Sequence, residues 1–179
     1  MPLPFLPHFY IYGGNQLYWF PGALPFDPPL EKGTSSALDN PVWSALTGRQ
    51  AHLARGGRLA KRYPQEMAAV AAVARPESAA FAELAALMAE DEAVYLAGAE
   101  LSHIESQLPP LLQVKHQTSV IQMVYPNSAR IPEGEKNISL LSEADVPEML
   151  ALTALAHPDG LLAHTYQMGK YLGIRHQGQ

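Results

Sequence analysis

His157, Asp159 and His164 lie close together in the sequence. Two imidazoles and a carboxylate are groups that can hold a divalent cation or move a proton. Pro158 and Gly160 break any helix between them, however, and their spacing matches no familiar ligand pattern. A polar loop with two exposed histidines is the better reading, so no metal site is expected. His8, His52, His103, His116 and His176 are isolated and read as surface or packing residues. Glu90, Asp91 and Glu92 are consecutive, so they point in different directions and read as a solvated helix end. No Gly-x-Ser-x-Gly elbow, Gly-x-Gly-x-x-Gly turn or Gly-Lys-Ser/Thr phosphate loop occurs. The pairs Gly13-Gly14 and Gly56-Gly57 lack the third glycine and the helix start that phosphate binding needs.

The residues around these groups limit what the chain can be. It has 179 residues, 47% of them apolar and 16% charged, and no cysteine. That supply of apolar side chains can bury a real core, which sets aside a disordered chain, and a disulfide-stapled secreted module would need cysteines. A net charge of -5 argues against nucleic acid as the main partner, because neutralising phosphates takes clustered Lys and Arg. The longest tight apolar run, Met67 to Ala74, is too short to span a bilayer. Met1 to Phe9 is apolar but carries Pro2, Pro4 and Pro7 and no leading cation, unlike a signal peptide. A cytoplasmic protein without membrane contact is the expectation.

Residues 1–36 hold seven of the 16 prolines and eight of the aromatic residues. This composition marks them as an appendage with a boundary near Ser35 and Ser36. Within it, His8 to Tyr12 and Gln16 to Phe20 flank Gly13-Gly14-Asn15, the pattern of a β-hairpin. From Ala37 the punctuation becomes regular. Asp39 or Asn40 can cap a helix whose first turn takes Pro41, with Val42, Trp43, Leu46 and Leu53 on one face and Gly56-Gly57 as its end. Strands are expected at Arg58 to Tyr63 and at Met67 to Ala74, where the alanine content of the second would suit a helix equally well. A helix opened by Pro76 then carries Phe81, Leu84, Ala85 and Met88 on its buried face. A strand at Glu92 to Ala97, a crossover at Ser102 to Leu112, and a strand at Thr118 to Tyr125, apolar on both faces, complete this part.

Asn127 to Glu135 reads as a linker. After it come a short strand, Ile138 to Leu141, and a helix with Asp145 as N-cap and Glu148 closing a capping box. The helix breaks at His157-Pro158-Asp159-Gly160. A short helix follows from Thr165 to Lys170, then a strand from Tyr171 to Arg175 that leaves Leu172 and Ile174 on an unpaired edge. The strands at 118–125 and 138–141 are expected to pack the two parts together through their apolar faces.

The run Leu38-Asp-Asn-Pro-Val-Trp-Ser-Ala-Leu-Thr-Gly-Arg-Gln-Ala-His-Leu-Ala54, the Gly57 to Tyr63 piece, Leu141-Ser-Glu-Ala-Asp-Val-Pro-Glu-Met-Leu-Ala-Leu-Thr-Ala-Leu155 and Met168-Gly-Lys-Tyr-Leu-Gly-Ile-Arg175 together resemble the front part of a bacterial GNAT-superfamily N-acetyltransferase. The group resembled is the one in which an incomplete GNAT-like half precedes the catalytic half. The resemblance runs from Ala37 onward and is specific in the first run and in the two last quoted. It implies an α/β fold with a mixed sheet and flanking helices. Residues 1–36 would be the appendage, 37–130 the GNAT-like half, and 137–179 the beginning of the catalytic domain.

The activity implied is transfer of an acetyl group from acetyl-CoA, as cosubstrate, to a small-molecule or peptide amine. His157, Asp159, His164 and Thr165 are the residues the resemblance places beside the acceptor. Arg175-His-Gln-Gly178-Gln179 opens like the loop that holds the acyl-CoA pyrophosphate. It lacks the following Gly or Ala and the helix, so a turn between strands is the better reading. The resemblance therefore puts the cosubstrate loop and the general acid or base downstream of Gln179, and the chain is expected to be the front of a truncated enzyme. Two alternatives stand beside this: a truncated gene product with no separate role, and a non-catalytic interaction module. The module would meet a second copy or another chain through the sheet edge at Tyr171 to Arg175 and the aromatic segment 1–36.

Overall fold

The computed structural model describes residues 8–15, 37–98, 101, 104–120, 138–156 and 160–175. These divide into two compact units, one containing 8–15, 37–65 and 69–120, the other 66–68, 138–156 and 160–175. The architecture is α/β.

The first unit is a six-stranded sheet with two helices. In chain order its elements are β1 (His8–Asn15), α1 (Pro41–Thr47), β2 (Arg55–Gly56), β3 (Ala60–Arg62), β4 (Val70–Val73), α2 (Ser78–Ala86), β5 (Ala93–Ala97) and β6 (Gln113–Val120). The strand order is β2-β3-β4-β5-β1-β6, with β4, β5, β1 and β6 parallel and the β2-β3-β4 end antiparallel, which makes the sheet mixed. The hairpin expected at 8–20 is not formed as read: His8 to Tyr12 lie between β5 and β6, and β1 carries on across Gly13-Gly14, with a register shift against β6, to pair again at Asn15↔Val120, so residues 8–15 belong to the sheet and not to an appendage. The glycines mark an irregularity within the strand and not its turn. Residues 16–20 lie outside those described.

Helix α1 starts as its sequence predicts. The Asn40 carboxamide oxygen accepts from Trp43 N at 3.3 Å while its Nδ2 donates to Val73 O at 2.8 Å, so one side chain caps the helix and ties it to β4. Val42 and Leu46 form its buried face. The helix stops at Gly48, well before Gly56, and a Cβ at position 48 would stand 2.8 Å from Ser44 O; Leu53 falls in a separate 3-10 turn. Gly56 instead serves the β2–β3 turn, with φ at 112° and no room for a Cβ beside Ala60 O.

Helix α2 buries Ala80, Phe81 and Leu84 against Ala60, Ala71, Val73, Val94 and Leu96 of the sheet. Glu83, on the same helix, accepts from Leu59 N at 3.1 Å and Ala60 N at 3.0 Å, closing the β2–β3 turn. Beneath it Arg62 and Glu92 form a buried bidentate ion pair. The guanidinium also donates to Leu87 O and Tyr63 O, and Ala89 N donates to the carboxylate. The Ser102 to Leu112 crossover holds only a 3-10 turn, Glu105–Gln107, and β6 begins five residues before the strand expected at 118.

The second unit pairs β7 (Ile138–Leu140) antiparallel with β8 (Leu172–Ile174) and carries α3 (Val146–Ala156). The capping box is formed by Ser142 and Asp145, not by Asp145 and Glu148. Glu148 is drawn away by Arg175, which donates to it and to Asp145. Strand β8 therefore has a partner. Ile138 pairs with Ile174 and Leu140 with Leu172, and all four side chains are exposed, Leu140 by 62%. Of the strand at 118–125 through which the two parts were expected to pack, residues 121–125 lie outside the described residues.

Candidate functional site

Of the four residues placed beside an acceptor, His157 and Asp159 lie outside the described residues. His164 and Thr165 open a 3-10 turn, Thr165–Met168. The Thr165 hydroxyl is committed on both sides: it donates to Met67 O at 2.7 Å and accepts from Leu162 N at 2.8 Å. His164 N donates to Glu66 O at 3.2 Å, and the Tyr171 hydroxyl donates to Thr165 O at 3.1 Å. Burial of Tyr171 pushes its phenol above the ordinary value, so the group stays a neutral donor. Thr165 is thus an anchor of the loop, not a group free to react.

The His164 ring is exposed. Gln167 Nε2 lies 3.2 Å from His164 Nδ1 and 3.3 Å from the Tyr166 hydroxyl. The ring is thus open to a polar group arriving from solvent. Sequence reasoning named His164 and Thr165 but missed the supports Glu66, Met67 and Tyr171. Nothing local signals them, because Thr165 and Met67 are 98 residues apart. Among the described residues no three His, Asp or Glu side chains gather as a metal site would need, and no helix is long and apolar enough to cross a membrane.

A second concavity lies in the first unit. Strands β4 and β5 pair at Val70↔Tyr95 and Ala71↔Leu96 and not beyond. Where they part, Asn40, Val73, Arg75, Pro76, Gly98 and Leu101 are among the residues that line a cavity of about 280 Å³. Carboxyl ends of parallel strands under helices are where α/β sheets take ligands.

No protein-family model matches the sequence, and no curated protein does. A solved structure does: a protein from Novosphingobium aromaticivorans, assigned to the GNAT family as an acetyltransferase, superposes with a TM-score of 0.53 at 24% identity over 81% of this chain. The fold is similar to that of a GNAT acetyltransferase. The chain spans 61% of that protein's length. A GNAT-like fold brings acetyl-CoA into question as cosubstrate, and the β4–β5 crevice is where its fit can be examined. In the turn from β4 to α2, Ala74 N is spent on Leu59 O at 2.8 Å, Pro76 has no N–H, and Glu77 N is spent on Arg75 O at 2.8 Å. A phosphate cradle needs successive N–H groups aimed at one point. These residues do not supply it, so the crevice does not fit the pyrophosphate of acyl-CoA.

Proposed function

We propose that this chain serves N-acyl transfer of the GNAT type, in which acetyl-CoA gives its acetyl group to a small-molecule or peptide amine, and that residues 137–179 supply the acceptor side. In that reaction the amine nitrogen attacks the thioester carbonyl, the C–S bond breaks, and the amine's proton leaves as the sulfur departs as a thiol. The observation that carries the reading is the 160–168 loop, held by Thr165, Glu66, Met67 and Tyr171 with the His164 ring exposed beside Gln167. The GNAT-like fold supports it. His164 holds a polar group of the acceptor, with His157, Asp159 and Thr165 in the same loop, and no described residue is assigned as the general base. The cosubstrate is not assigned to the described residues. Equilibrium dialysis of a panel of primary amines against the chain tests the reading. An amine that is retained, and at least about tenfold less retained by His164→Ala, supports it; tenfold corresponds to about 1.4 kcal/mol. A panel retained equally by both proteins, or by neither, contradicts it.

A second reading is an interaction module. It is favoured by the exposed pairs Ile138–Ile174 and Leu140–Leu172 on a two-stranded sheet, since such a sheet is marginal until its apolar face is covered. A second copy or another chain would then meet β8. Sedimentation of the chain with Leu140→Lys and Leu172→Lys beside the wild type separates the two readings: assembly that the substitutions abolish favours the module.

A further inference from the structure

We infer that the β4–β5 crevice of the first unit rejects phosphate-bearing ligands, acyl-CoA included, so that any acyl-CoA used in the proposed reaction is held elsewhere. The place itself invites a nucleotide. It lies at the carboxyl ends of parallel strands, it is open because β4 and β5 stop pairing after Ala71↔Leu96, and a strand-turn-helix borders it. The turn is built against one. Of its five residues from Ala74 to Ser78, positions 74 and 77 have their N–H groups tied to Leu59 O and Arg75 O, and position 76 is proline. The donors that remain are at Arg75 and, in the first turn of α2, at Ser78 and Ala79; Pro76 and the tied Glu77 separate Arg75 from that pair, so no continuous N–H concavity runs from the strand into the helix as one does around a phosphate. The residue just before α2 is Glu77, whose carboxylate makes no capping hydrogen bond and leaves a negative charge near the place an anion would take. Asp39 adds another acidic residue to the lining, and Arg75 is its one guanidinium. The cavity, about 280 Å³, falls at the lower limit of small-ligand sites, which run from about 300 to 1,000 Å³.

The experiment is a titration of the full, isotope-labelled chain with acetyl-CoA and, separately, inorganic pyrophosphate, followed through the backbone amide resonances of Arg75, Glu77, Ser78, Ala79 and Gly98. The expected result is no saturable shift at these amides up to about 1 mM of either ligand. Shifts that saturate there below that concentration overturn the inference. The outcome is separable from the acyl-transfer reading. Acetyl-CoA shifts confined to residues 138–175 leave both standing, whereas silence across the whole chain agrees with the crevice inference and gives no support to acyl transfer.

Discussion

The hydroxyl of Thr165 donates to the carbonyl of Met67 at 2.7 Å, across 98 positions of sequence. This one bond fixes the 160–168 loop to the 66–68 segment of its own unit. Thr165→Val keeps the shape and removes the donor, so the Met67 carbonyl loses its partner. The expected cost is about 1–3 kcal/mol, read as a lower urea midpoint with faster amide exchange at Leu162. Thr165→Ser retains the hydroxyl and should recover most of the loss. Equal exchange in all three proteins would show that the bond does not hold the loop.

Arg62 and Glu92 make the second prediction. Burial alone would raise the Glu92 carboxyl; the Arg62 hydrogen bonds, the Ala89 N–H and the Arg62 charge outweigh it and hold the group below the usual carboxylate range. Arg62→Met leaves a buried carboxylate unpaired and should cost about 3–5 kcal/mol, while Arg62→Met with Glu92→Leu should cost far less. A double variant as damaged as the single one would contradict this account of the pair.

Acid should weaken the first unit through Glu83 as well as Glu92. Glu83 is held below its ordinary value chiefly by the Ala60 N–H, with Leu59 and Gly57 N–H and the Lys61 charge adding to it. A depressed folded-state pKa means that the stabilisation is present above the unfolded value, about 4.3 for a glutamate, and is lost as pH falls through the lower folded value. Denaturation midpoints should therefore be level above about pH 5 and fall below about pH 4. Glu83→Gln should be less stable than wild type near neutrality and approach it in acid. A gap that widens in acid would reverse the sign argued here.

Gly56 carries φ of 112°, and a Cβ there would stand 2.4 Å from Ala60 O. Gly56→Ala must strain or reopen the β2–β3 turn and should cost more than about 1 kcal/mol. Thermal unfolding of the variant measures it, and an unchanged midpoint would show that the turn relaxes freely.

Much of the fold was legible where the signal was local. Asn40 and Pro41 announced α1, the apolar run to Val73 announced β4, and Phe81 with Leu84 announced α2, since caps and periodicity act within a few residues. The sequence misled where distant pairing decided the outcome. Gly13-Gly14 reads as a turn, yet it falls at a register shift of β1 against β6, between the pairs at Tyr12 and Asn15. Asp145 and Glu148 read as a capping box, yet Arg175, 30 residues on from Asp145, takes Glu148 and leaves Ser142 to close the box. At the candidate site His164 and Thr165 were named through the family resemblance. Their supports at Glu66, Met67 and Tyr171 were hidden, because folding alone brings 66–68 to the loop.

The central claim, that the 160–168 loop receives an amine acceptor, is tested most directly by mapping amide shifts of the full chain during titration with primary amines. The claim predicts saturable shifts clustered at Ala163, His164, Thr165 and Tyr166, weakened about tenfold or more in His164→Ala; tenfold is about 1.4 kcal/mol. Amines that shift only residues outside 157–168, or that shift none, would contradict it.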